Sequence, residues 1–79
     1  MSPTVFKKGS YRFYFFSREE PRRHVHISCS EGEAKFWIEP IISMANYHGL
    51  SKHQLKQIQV LVEKNIDEIK QAWESHFSC

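Results

Sequence analysis

His24-Val25-His26-Ile27-Ser28-Cys29 alternates polar and apolar residues, and that alternation decides the fold. Side chains along a strand point to opposite faces with a period of two. Val25, Ile27 and Cys29 therefore face one way, and His24, His26 and Ser28 the other, as in a half-buried strand. Downstream, Ser30-Glu31-Gly32-Glu33 turns the chain. Ala34-Lys35-Phe36-Trp37-Ile38-Glu39 then alternates again until Pro40, which lacks the N–H a ladder needs. Its apolar set is Ala34, Phe36 and Ile38; Lys35, Trp37 and Glu39 lie opposite. Upstream, Tyr11-Arg12-Phe13-Tyr14-Phe15-Phe16 is rich in the aromatic residues that strands favour. Tyr11, Phe13 and Phe15 fit the same core, leaving Arg12, Tyr14 and Phe16 outward. Gly9-Ser10 joins this run to residues 4–8 as a tight hairpin, and the polar stretch 17–23, with Pro21, reads as a loop. The expectation is a four-stranded antiparallel, meander-like sheet with one oily and one mixed face.

The period changes at Ser51. Ser51-Lys52-His53-Gln54 has the form of a capping box, and Leu50 and Leu55 stand at the two positions of a hydrophobic staple. Leu55, Ile58, Leu61, Val62, Ile66, Ile69, Trp73 and Phe77 recur at three- and four-residue spacing and make one apolar stripe. This predicts a long C-terminal helix over 51–78, packed on one face of the sheet. About 25 helical residues span roughly 38 Å, against roughly 20 Å for a six-residue strand. The excess predicts either a bend at Asn65 or an end that meets a partner. Residues 40–50 read as an extended connection followed by a turn at Gly49. The fold class is α+β, in a single domain over 1–79 with a strand-rich half at 1–39.

The chain has 79 residues, of which 41% are apolar, 14% aromatic and 25% charged. That is the make-up of a globular domain, not of a disordered tail. So short a chain buries only roughly 60% of its unfolded surface, which speaks against a two-substrate enzyme with a deep, self-contained pocket. No apolar run approaches the roughly 18 residues of a membrane span, and no secretory signal pattern opens the chain. The expected location is cytoplasmic. Eleven Lys and Arg against nine Asp and Glu leave a net charge of +2, which permits nucleic-acid binding without requiring it. The excess lies near the start, in Lys7, Lys8, Arg12, Arg18, Arg22 and Arg23 against Glu19 and Glu20. Cys29 and Cys79 are too few for a disulfide framework and read as free thiols. No Gly-rich phosphate loop, Ser-His-Asp order, CxxC pair or HExxH motif occurs. Hydrolases of those classes are not supported, and no cofactor is implied.

Several short stretches recur together in a known order. They are Pro3-Thr4-Val5, Tyr11-Arg12-Phe13-Tyr14-Phe15-Phe16-Ser17, Glu20-Pro21 before His24-Val25-His26, and Ala34-Lys35-Phe36-Trp37-Ile38-Glu39-Pro40. Asn46-Tyr47-x-Gly49-Leu50-Ser51 and Ala72-Trp73-x-x-x-Phe77 complete the set. The chain thereby resembles, over nearly its whole length, a small prokaryotic family: the domain of unknown function numbered 4160. The family usually reads Glu-Pro-Pro-His-x-His, whereas Arg22-Arg23 fill the stretch before His24 here. The resemblance implies a context, not an activity. Members are commonly encoded beside a second small protein, an arrangement like a toxin–antitoxin pair. It therefore implies a small cognate protein partner and points to RNA or DNA as a target.

The candidate chemistry gathers around His24-x-His26. Both imidazoles share a face, roughly 6.5–7 Å apart at the backbone. As general acid and base on an RNA 2′-hydroxyl, with Arg12 or Lys35 stabilising the phosphorane, they would make a metal-independent ribonuclease. As two metal ligands they would make a metal-binding accessory domain. Zinc wants about four ligands, Cys29 falls on the other face, and Glu31, Glu33 or Glu39 would have to complete the set. As plain contacts to phosphate or base they join Arg12, Tyr14, Lys35 and Trp37 on the same face, with Arg22 and Arg23 just before them. Aromatics among cations resemble the platforms on which single-stranded bases stack. The plainer readings are two polar residues on an exposed strand face, and a small second core of Tyr14 and Trp37 covered by 40–50 or by a homodimer mate. Trp73 and Phe77 either clamp the core or meet a partner protein. The functional expectation is a component of a toxin–antitoxin-like module, acting through a protein partner and nucleic acid. The ribonuclease and the metal-binding domain are its alternatives, so enzymatic activity stays open.

Overall fold

A computed structural model of the chain describes residues 4–15 and 22–77. The element order is β1 (Thr4–Lys8), β2 (Tyr11–Tyr14), β3 (His24–Ser28), β4 (Glu33–Trp37), β5 (Ser43–His48), α1 (Lys52–Lys64) and α2 (Ile66–Phe77). The strands pair in chain order, each antiparallel to the next. The α+β class and the meander stand, but the sheet has five strands where the alternation predicts four.

The extra strand, β5, is the segment read from sequence as a connection. Ser43-Met44-Ala45-Asn46-Tyr47-His48 shows no period of two, for two reasons. β5 is an edge strand, with Met44 44% and Tyr47 50% exposed, so burial does not impose an alternation on it. Its pairing also slips in phase between Lys35 and Phe36 of β4, where Lys35 faces Asn46 and Phe36 faces Met44. Pairing with β4, not local propensity, makes this segment a strand.

The helical third also departs from expectation. The single long helix is two, of 13 and 12 residues, broken at Asn65. Asn65 leaves helical geometry at φ −113°, ψ 21°. Its N–H and its side-chain Nδ2 both donate to the Leu61 carbonyl, at 3.1 and 2.8 Å. A short amide side chain competes in this way for backbone partners and ends a helix. The two pieces span about 20 and 18 Å, which matches the strands they cover. Of the two outcomes the excess length allowed, the chain takes the break.

The oily face is as the alternation predicts. Tyr11, Phe13, Phe15, Val25, Ile27, Ala34, Phe36 and Ile38 are buried against Ile58 and Val62 of α1 and Ile69 and Trp73 of α2. The capping box forms: Gln54 N–H donates to Ser51 Oγ at 3.1 Å, and Ser51 N–H donates to Gln54 Oε1 at 2.9 Å. Leu50 is buried and Leu55 packs on the core. Just before the cap, Gly49 at φ +77° reverses the chain, and the β3–β4 turn lies directly against it. A Cβ on Gly32 would overlap the His48 carbonyl oxygen, and one on Gly49 would sit 2.5 Å from the Glu31 carbonyl oxygen. No helix among the described residues is long and apolar enough to cross a membrane.

Candidate nucleic-acid interface

The antiparallel register builds the mixed face in rows. Tyr14 pairs with His26, His26 with Lys35, and Lys35 with Asn46. Arg12 pairs with Ser28, which pairs with Glu33. His24 pairs with Trp37 at the far end. Side chains directly opposite lie close enough to interact, and here they do so through rings. Tyr14 stacks on His26 at 5.4 Å, His26 meets His24 edge-to-face at 5.1 Å, and His24 meets Trp37 edge-to-face at 5.7 Å. Cations lie over both ends of this chain of rings: Arg12 over Tyr14 at 4.5 Å, and Arg22 and Lys35 over Trp37 at 4.2 and 4.5 Å. Each such contact contributes about 0.5–1 kcal/mol at an exposed site. The residues singled out from the sequence thus meet on one surface.

Their exposures differ, and this separates their roles. Tyr14 is 5% exposed, so it carries Arg12 and has no open face for a base. Trp37, His26, Lys35 and Arg12 are partly exposed, and Arg22 is fully at the surface. His24 has no exposed surface at all. Alternation sets it facing outward, yet Trp73 of α2, edge-on to Phe15 at 5.3 Å, also meets the His24 ring at 5.2 Å. Trp73 therefore bridges the oily face and the start of β3. His24 Nδ1 donates to the Arg22 carbonyl at 2.7 Å, because a carbonyl only accepts. A general acid or base must come within hydrogen-bond reach of its substrate. The His24 ring, with no exposed surface and set against Trp37, Trp73 and His26, has no such reach in this structure.

Arg23 and Arg22, expected to steer phosphate, are both engaged with Glu39. Arg23 Nε pairs with Glu39 Oε1 at 3.2 Å, and Arg22 Nε donates to the Glu39 carbonyl at 2.9 Å. This ties the stretch before β3 to the end of β4, where Ile38 N–H also donates to the Arg23 carbonyl. The Glu39–Pro40 peptide bond there is cis. Arg23 thus has a carboxylate partner, while the Arg22 guanidinium lies over Trp37. Trp73, at 7% exposure, is a core clamp. Phe16, Arg18 and Cys79 lie outside the described residues, as does the side chain of Phe77.

Sequence reasoning missed the β5 side of this surface. Asn46, Tyr47 and His48 join His26, Glu33 and Lys35 around a cleft of about 330 Å³. The strand pairing that brings them there carries no periodic signal. Among the described residues, no group of three or more His, Cys, Asp or Glu side chains is arranged to hold a metal ion. On the other side of the sheet, Glu31 accepts hydrogen bonds from Cys29 Sγ and Gln54 Nε2, both at 3.3 Å. The Cys29 bond above all, with others from Ser30, its own backbone and Gln54, holds its carboxyl below the usual range. Burial, with the charges of Cys29 and Glu31 adding, pushes the Tyr11 phenol up.

No curated protein and no solved structure matches the chain. A family model described as "Domain of unknown function (DUF4160)" matches residues 10–74. The matched span runs from the β1–β2 turn into α2 and includes every residue of the aromatic and cationic face. The chain belongs to the DUF4160 family.

Proposed function

We propose that the chain binds single-stranded nucleic acid across the mixed sheet face, as one component of a toxin–antitoxin-like two-protein module. The observation that carries this reading is the stacking of Arg12, Arg22 and Lys35 on the rings of Tyr14 and Trp37. A cation held over a ring is pre-positioned, and its N–H groups turn towards phosphate at little further ordering cost. Trp37 and His26 are the partly exposed rings of this face, and a base stacking on Trp37 would take the place of Arg22 or Lys35 over its ring. Base–aromatic stacking contributes about 1–3 kcal/mol and tolerates any sequence.

The test is fluorescence anisotropy with a labelled single-stranded RNA. Three phosphate contacts predict a logarithmic salt slope of about −2, or about twentyfold weaker binding at roughly 200 than at 50 mM salt. Trp37→Ala should lose about 1–3 kcal/mol of affinity, about five- to 150-fold. Absence of binding at low salt would overturn the reading. Cleavage of the RNA that His26→Ala abolishes would replace it with the ribonuclease.

A further inference from the structure

On the helix side of the sheet, the β1–β2 turn and α1 wall an open groove of about 740 Å³. The floor is apolar, made by Tyr11, Leu61 and Val60, and Val60 is 44% exposed. The rim carries two lysines, Lys8 on the strand side and Lys56 on the helix side, together with His53. Among the described residues, no Asp or Glu lines it. The Tyr11 hydroxyl donates to Gln57 Oε1 at 2.8 Å and ties one wall to the other, so the groove is formed before anything enters it. At its mouth, Gly9 has nothing within 4 Å of where a Cβ would stand.

Two of these features work against the helix that carries them. The first turn of α1 contains no acidic residue, although the helix dipole favours one there. It carries Lys52 and His53 instead, Lys56 follows one turn on, and no acid appears in α1 before Glu63. Val60 adds an aliphatic side chain at an exposed helical position. Both become favourable once an acidic, apolar surface lies over them.

We infer that this groove docks an acidic peptide segment of a protein partner. Its apolar side chains would rest on Tyr11, Val60 and Leu61, and its carboxylates would meet Lys8, His53 and Lys56. Charge complementarity selects an acidic occupant. The open shape selects a peptide, which keeps a polar side in water, over a small molecule, which a pocket covers by roughly 70–90%. Among the described residues that line it, only Tyr11 and His53 carry rings, and Tyr11 is buried, so the groove offers no platform for stacked bases. The inference rests on the two-protein part of the proposed function and shares no residue with the nucleic-acid face.

The probe is a synthetic peptide of Leu and Glu in helical register, with a Leu and Lys peptide as control. NMR amide-shift mapping on the full chain should show the acidic peptide binding saturably, with shifts gathered at 8–11 and 53–61. Lys8→Glu with Lys56→Glu should weaken it by about tenfold or more. Val60→Ser should weaken it while leaving RNA affinity unchanged, and Trp37→Ala should do the reverse. Lys8, Lys56 and Val60 are exposed and Trp37 is partly so, and melting curves will check that the variants fold. Equal binding of the Lys peptide, no binding at low salt, shifts on the sheet face, or groove variants within about twofold of wild type would each overturn the inference. None of these results bears on RNA binding.

Discussion

Gly32→Ala tests how β5 and α1 are locked to the sheet. A Cβ there overlaps the His48 carbonyl oxygen and lies 2.9 Å from both Gly49 C and Cα. All three are backbone atoms, so no side-chain rotation relieves the contact. Gly32 does not have a positive φ, so the cost is overpacking alone, about 1–3 kcal/mol and towards the upper end. Gly49→Ala meets the same contact from the other side, at 2.5 Å from the Glu31 carbonyl oxygen, and adds a φ of +77°. A left-handed L-residue costs about 1–2 kcal/mol, so the sum is about 2–5 kcal/mol. Gly9→Ala is the internal control. It has φ +60° and nothing within 4 Å, leaving only the strain of about 1–2 kcal/mol. A chain of this length holds roughly 4–12 kcal/mol in all, so Gly49→Ala removes a large share of it. Urea titrations followed by tryptophan fluorescence, compared at a common slope, measure the series. The order of loss should be Gly49→Ala, then Gly32→Ala, then Gly9→Ala. If all three lie within about 0.5 kcal/mol of one another, the two backbones do not approach as described, and the placement of β5 beside β4 fails with them.

Ser51→Ala removes the helix cap and should cost about 1 kcal/mol, a fall in Tm of roughly 4–8 °C for a domain this small; an unchanged Tm would mean the capping box does not form. His24→Ala empties the space between Trp37 and Trp73 and leaves the Arg22 carbonyl without its donor, a loss of about 1–3 kcal/mol that thermal melting will register. A loss below about 0.5 kcal/mol, typical of surface sites, would show that the ring is exposed after all. Glu31, whose pKa is lowered first by the Cys29 hydrogen bond, binds a proton less readily folded than unfolded. Its stabilisation is present above the ordinary carboxylate range and is lost as pH falls through the depressed folded value. Glu31→Gln should therefore flatten the acid limb of Tm against pH, and an identical limb in the variant would contradict this assignment.

Much of the site was legible because β3 and β4 alternate cleanly, whereas the largely aromatic run of β2 marks its two faces less sharply. Arg12, Tyr14, His26, Lys35 and Trp37 needed only a period of two to be placed together. The exposure of each was not legible. Tyr14 and His24 read as outward residues like the others, yet both are buried, His24 because Trp73 arrives from about fifty positions away in sequence (separation 49). The engagement of Arg23 with Glu39 also needed the chain to bring the start of β3 beside the end of β4. The family itself could be recognised from residue order alone, because order and spacing are properties of sequence.

Local physics determined four strands, their two faces, the cap at Ser51 and the apolar stripe along 55–73. Each depends on a period or on a hydrogen bond between near neighbours. Tertiary structure decided that 43–48 is a strand, because an exposed edge carries no burial pattern and is ordered only by its partner. It decided between the two outcomes the long stripe allowed, a break at Asn65 and a protruding end, although the amide that ends α1 bonds locally to Leu61. It also formed the cationic groove, whose walls come from β1–β2 and α1 and meet through a hydrogen bond spanning 46 positions. A contact between residues so far apart is a property of the packed chain and leaves no mark on either segment alone.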